Sequence, residues 1–178
     1  MLHKLNLEFN EELKPRTTTQ YIILHHSEVA SSHTAEDIHQ WHKNKGWVGI
    51  GYHYFVDKEG EVYEGRPRET VGAHTRGHND ESIGVCFEGD FNKESMSEKQ
   101  ENAAIKLLTI LSLVYNDAEL RTHNDFNPDK NCPGKNFPFN RLLLVVADRK
   151  KRIMEQKPLL ELSSMPSEGL DFQKTCET

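Results

Sequence analysis

Cysteine is scarce and unpaired in number: three residues, Cys86, Cys132 and Cys176, in a chain of 178. An odd set without framework spacing argues against a disulfide scaffold, so each cysteine needs its own reading. Long hydrophobic runs are missing as well. No apolar stretch approaches the ~20 residues that span a bilayer, which excludes membrane insertion by a helix. The N-terminal MLHKLNLEFNEELKPR has no continuous apolar core, so no secretory signal is expected, and synthesis in the cytoplasm is. Excess positive charge is absent too. The formal net charge of -6 excludes a general nucleic-acid binder, which needs clustered Lys and Arg against phosphate.

What is present suits one domain with its own core, because 178 residues can bury enough surface without cross-links. Residues 1–18 read as a polar, irregular N-terminal extension. Gln20 to Leu24 is β-branched and aromatic-rich, a short buried strand. Thr34 is an N-cap for a helix reaching about Lys45 and stopped by Gly46, with Glu36 and Asp37 in its first turn. Ile38, Trp41 and His42 fall on its expected inner face. Gly51 to Val56 and Glu61 to Glu64 form a hairpin around Asp57–Gly60. Ser82 to Glu88 is a further apolar strand.

Ser97 starts a strong helix with Gln100 at the capping-box position. Ala104, Leu107, Leu108, Leu111 and Val114 recur along it at helical spacing. Leu120 to Thr122 is a brief strand, followed by a loop, and Asn140 to about Gln156 is a last helix with RKKR near its end. From residue 158 to 178 the pattern dissolves into a flexible tail or linker. Strands alternating with helices over residues 19–157 predict an α/β domain: a mixed central β-sheet flanked by helices.

The loop RTHNDFNPDKNCPG has little to bury, yet holds His123, Lys130 and Cys132. His25 and His26 close the first strand, in YIILHHS. A strand end is a rigid place from which to project a ligand. Two imidazoles and a thiolate suit zinc, and three protein ligands leave the fourth position that marks a catalytic centre. The bland readings stay open: a loop cysteine as a small residue, a strand-end histidine as a hydrogen-bonded one. His39 and His42, one helical turn apart, form a rival metal pair. Cys86 reads as a small buried hydrophobe.

Four segments, in order, carry a resemblance: YIILHHS, DIHQWHKNKGWVGIGYHYFVDKEGEVYEGRP, VGAHTRGHNDESIGVCFEG and LRTHNDFNPDKNCPG. Together they resemble the zinc-dependent N-acetylmuramoyl-L-alanine amidases of the type 2 amidase family, which includes phage lysozymes of amidase type and peptidoglycan recognition proteins. The resemblance covers about residues 20 to 145. It implies Zn2+ held by His25, His123 and Cys132 in a surface groove at strand ends, with His26 in a supporting role. It makes Tyr52 and Lys130 the catalytic pair of the phage-type branch. The interval from His123 to Cys132 is one residue longer than the commonest family spacing. Another branch uses an aspartate as third ligand and a glutamate on the SIG strand, where this chain has Cys132 and Cys86.

The implied activity is hydrolysis of the amide between N-acetylmuramic acid and L-alanine, in a phage or prophage endolysin or a bacterial autolysin. The implied partner is peptidoglycan, glycan strand and stem peptide, met by a monomer acting on the wall after release from the cell. His74 and Trp47 are candidate substrate contacts, with a turn histidine and a core aromatic as the alternatives. Glu88, two positions beyond the family glutamate, reads as structural or substrate-lining. A non-catalytic peptidoglycan binder and a regulatory protein-binding module are the rival functions.

Overall fold

The chain folds around a six-stranded sheet, seen here in a computed structural model that describes residues 1–156. The strands are β1 (Leu2–Lys4), β2 (Tyr21–His26), β3 (Tyr54–Val56), β4 (Val62–Glu64), β5 (Ser82–Phe87) and β6 (Glu119–Thr122). The helices are α1 (Ala35–Asn44), α2 (Glu98–Val114), α3 (His123–Phe126) and α4 (Phe139–Gln156). The order across the sheet is β1-β4-β3-β5-β2-β6. All neighbours run parallel except β3 and β4, the expected hairpin, so the sheet is mixed. The expected tail and Cys176 lie outside the described residues.

The centre of the sheet reads as the sequence suggests. Ile22, Ile23, Leu24, Ile83 and Val85 have no exposed surface, because both faces of β2 and β5 are covered. Side chains alternate between faces along a strand. Ile22 and Leu24 share one face with Ile83, Val85 and Phe87, packed under Leu107, Leu108 and Leu111 of α2 and Leu142 and Val146 of α4. Cys86 and Phe55 share the other, under Ala35 and Ile38 of α1 and with Ile50. His25 pairs in register with Cys86 and therefore lies on the α1 face, whereas His26, beside Phe87, lies on the α2 face. Cys86 is fully buried, the small core residue expected of it.

Local chemistry sets the element ends. Thr34 Oγ1 accepts from Asp37 N–H and the Asp37 carboxylate accepts from Thr34 N–H, a reciprocal capping box at the start of α1. Gly46 takes a left-handed φ of 80° just past its end. In the hairpin turn, Gly60 N–H donates to Asp57 O, and a Cβ at Gly60 would meet Lys99 O at 2.6 Å.

Four expectations are corrected. Trp41 is 37% exposed, because the inner face of α1 is taken by Ala35, Ile38, His39 and His42. Val114, the last residue of α2, is 38% exposed. Ser97 does cap α2, but the Gln100 amide donates instead to Val56 O and Glu88 O at 3.0 Å each, tying α2 to the ends of β3 and β5. The N-terminal residues are not irregular throughout: Leu2–Lys4 pairs parallel with β4, and Leu5, Leu7 and Phe9 pack against the α1-side core.

Candidate metal centre

His25 is the penultimate residue of β2, a strand held in place by six residues of parallel pairing with β5 and four with β6. His123 opens the short helix α3 directly after β6. The sequence suggested loop here, but the Asp125 carboxylate accepts from Thr122 N–H at 2.7 Å and closes one helical turn. The segment carrying Cys132 is pinned through its backbone. Asn124 N–H donates to Cys132 O, and Asn136 N–H donates to Phe91 O. Gly134 has a φ of 105° and passes so close to Phe91 that a Cβ would lie 2.6 Å from its carbonyl carbon. Phe137 then anchors the segment in the core.

These three elements bring one nitrogen of His25, one of His123 and Cys132 Sγ within 4.8 Å of one another. Cys132 Sγ lies 3.7 Å from His25 Nδ1. Donors of a tetrahedral zinc centre sit on the order of 3.5 Å apart, so the set fits such a cation. Among the described residues it is the one group of three or more His, Cys, Asp or Glu side chains placed to hold a metal. The rival pair is overturned. His39 donates from Nε2 to Glu8 O and accepts Ile50 N–H at Nδ1, while His42 accepts Gly51 N–H at Nδ1. Both rings are committed to backbone.

Electrostatics suit a cation as well. Burial, then His74, His123 and His26, hold the His25 pKa well below the ordinary value. Burial and the Lys130 charge lower His123. Both imidazoles are thus neutral at neutral pH, the form in which metals bind histidine. Burial pushes the Cys132 thiol up to about 12, opposed by a hydrogen bond from the His26 backbone. A buried thiolate beside two uncharged rings needs a positive partner.

Tyr52 lies beside this cluster, its ring centroid 5.1 Å from that of His25. Burial, followed by Cys86 and Cys132, raises its phenol well above the ordinary range. Lys130 is exposed, and its charge bears on both His123 and Cys132. Trp47 is 43% exposed, so it is not core. Its ring stands 4.6 Å from His42, which stands 5.6 Å from Tyr52. His74, expected along the groove, has Nδ1 3.0 Å from His25 Nε2. His26 turns to the other face and accepts Phe91 N–H at Nδ1.

Glu88 is buried, with one oxygen accepting from His33 N–H and the other from Lys58 N–H. That makes it structural, the first of its two readings. The sequence reading missed Thr75 and Ser82, which flank His74. The only signal was their place within GAHT and SIG, and Ser and Thr are too common for that to point anywhere.

Residues 15–135 match the family model described as N-acetylmuramoyl-L-alanine amidase. The endolysin of Enterobacteria phage T3 is 35% identical over 147 residues, covering 78% of this chain and 97% of that protein. Peptidoglycan-recognition protein SC2 of Drosophila melanogaster is 33% identical over 97 residues, covering 50% of this chain and 53% of that protein. Among solved structures, N-acetylmuramoyl-L-alanine amidase LysC from Clostridium intestinale URNW superposes with a TM-score of 0.76 at 35% identity. That match covers 80% of this chain and 94% of the other.

Proposed function

The chain belongs to the N-acetylmuramoyl-L-alanine amidase family, and from that premise we propose that it is a phage-type endolysin working with zinc at His25, His123 and Cys132. Its reaction is hydrolysis of the amide joining N-acetylmuramic acid to L-alanine in peptidoglycan. The observation that supports the zinc reading is the convergence of two imidazoles and one thiol, from three separate elements, within 4.8 Å.

Amides resist attack because their carbonyl is resonance-stabilised and the amine leaves poorly. Zinc held here would supply Lewis acidity toward that carbonyl and bring the pKa of water down toward roughly 7. The chain's own groups handle charge and position. As the carbonyl carbon becomes tetrahedral, its oxygen gains negative charge. Lys130, a compact ammonium on the exposed side of the cluster, stabilises it. The Tyr52 phenol, held above its ordinary range by burial, stays protonated at neutral pH and donates a hydrogen bond to the reacting oxygen. The water oxygen ends in the lactyl carboxylate, and its proton goes to the departing alanine nitrogen. The exposed indole of Trp47, linked through His42 to Tyr52, offers an apolar face to the substrate beside the reacting bond.

No described helix is long and apolar enough to cross a membrane. We place the site of action at the cell wall, reached after release, and take peptidoglycan as the partner. The test is incubation with purified wall, with and without chelator, scoring newly freed L-alanine amino groups. The enzyme reading expects release that chelator abolishes and zinc restores. A peptidoglycan binder without catalysis would sediment with the wall and free no amine.

A further inference from the structure

The proton positions around His74 can be followed outward from a fixed end. The His78 carbonyl can only accept, and the Ser82 hydroxyl donates to it. Ser82 Oγ, its proton thus committed, is left as an acceptor 3.4 Å from His74 Nε2. His74 therefore carries its proton on Nε2, and the neutral ring has its lone pair on Nδ1. That nitrogen lies 3.0 Å from His25 Nε2, which must be the donor. The lone pair of neutral His25 is then on Nδ1, the nitrogen 3.7 Å from Cys132 Sγ. The Thr75 hydroxyl, 3.0 Å from His74 Nδ1 and 3.4 Å from His25 Nε2, fits the same polarity by donating to the first and accepting from the second.

We propose that His74 is a positioning residue: its tautomer, set by Ser82 and the His78 carbonyl, fixes the His25 tautomer and presents Nδ1 to the metal. The fold makes room for this ring specifically. A Cβ at Gly72 or at Gly84 would lie 2.5 Å from His74 Cδ2. Ligand histidines commonly lean on a carboxylate, a carbonyl or water. An imidazole in that place differs because it has a tautomer of its own, which the Ser82–His78 end supplies. The inference rests on the zinc reading of the centre.

The experiment measures zinc affinity of the full chain by competition with a chromophoric chelator, for wild type, His74→Phe, His74→Asn and Ser82→Ala. Phe keeps the ring but has no acceptor, and zinc binding should weaken by about 10- to 100-fold. Asn, whose amide oxygen lies near the place of Nδ1, should recover most of the loss. Ser82→Ala should fall between wild type and His74→Phe. Wild-type affinity in His74→Phe overturns the proposal. Should His74→Phe not fold, 15N NMR of the zinc-loaded wild type decides: Nε2–H with metal on Nδ1 of His25 supports it, and the opposite tautomer overturns it. A wild type that binds no zinc refutes the underlying reading, whereas zinc-binding wild type with an unaffected His74→Phe refutes this inference alone.

Discussion

Cys132 Sγ lies 3.7 Å from His25 Nδ1, although 107 positions separate the two residues. One stands at the end of a buried parallel strand and the other on a segment tied to the Phe91 backbone. Neither element has a reason of its own to approach the other so closely with donor atoms facing. The zinc proposed for this centre would supply that reason.

Cys132→Ala removes the sulfur donor and leaves two histidines. Zinc content after dialysis should drop to a small fraction of wild type, and wall hydrolysis should drop with it. Elemental analysis beside the amine-release assay measures both. Full metal occupancy in this variant would take Cys132 out of the ligand set.

Lys130→Ala leaves the three donors untouched. It should retain zinc but lower kcat by ~10²-fold or more, the usual consequence of losing an oxyanion partner. Unchanged turnover would remove the role assigned to its ammonium group.

Trp47→Ala strips an exposed indole without touching the cluster. If the indole holds substrate equally in the ground and transition states, KM rises several-fold with kcat unchanged. A steady-state titration with soluble wall fragments separates the two, and an unaltered KM would return Trp47 to a surface role.

Gly84→Ala inserts a methyl group 2.5 Å from His74 Cδ2 and Cγ on a fully buried strand. Overpacking of this kind should destabilise the fold by about 1–3 kcal/mol in urea unfolding. Wild-type stability would mean that the ring can move aside freely.

Acid should destabilise the fold through its buried histidines. Burial lowers His53 to about 3 and His42 to about 4. His53 accepts Gly84 N–H at Nδ1 and donates to Thr70 O from Nε2, so a second ring proton would face a donor. In the unfolded chain both titrate near 6.5. Below that pH the unfolded state binds more protons, so stability falls as pH drops from about 6.5 towards 4 for His42 and towards 3 for His53, and is flat above. Urea unfolding at pH 7 and pH 5 should differ by on the order of 2 kcal/mol for each histidine. Equal stability at the two pH values would contradict the burial of neutral rings.

Much of this was readable in the chain because the signals are local. Thr34, Gly46 and the Asp57–Gly60 turn act within a few residues, and β2 and β5 are runs of apolar side chains. The grouping of His25, His123 and Cys132 was legible because residue type beside strand ends suggested a metal and the resemblance of four ordered segments to the amidase family singled out these three, which the fold brings together. What escaped depends on distant partners. Leu2–Lys4 is a strand only because β4 lies alongside it. Gln100 left its expected cap because two carbonyls, on β3 and after β5, came within reach. Trp41, expected on the inner face with Ile38 and His42, turns outward because His39 and His42 fill that face by bonding to backbone. The orientation of His74 follows from two glycines and a serine that mean nothing until the sheet is assembled.

The most direct measurement is zinc K-edge X-ray absorption on the zinc-loaded protein. One sulfur at about 2.3 Å and two imidazole nitrogens at about 2.0–2.1 Å are expected, with a light fourth scatterer from solvent. A first shell without sulfur, or one closed by four protein ligands, would contradict a catalytic centre built from His25, His123 and Cys132.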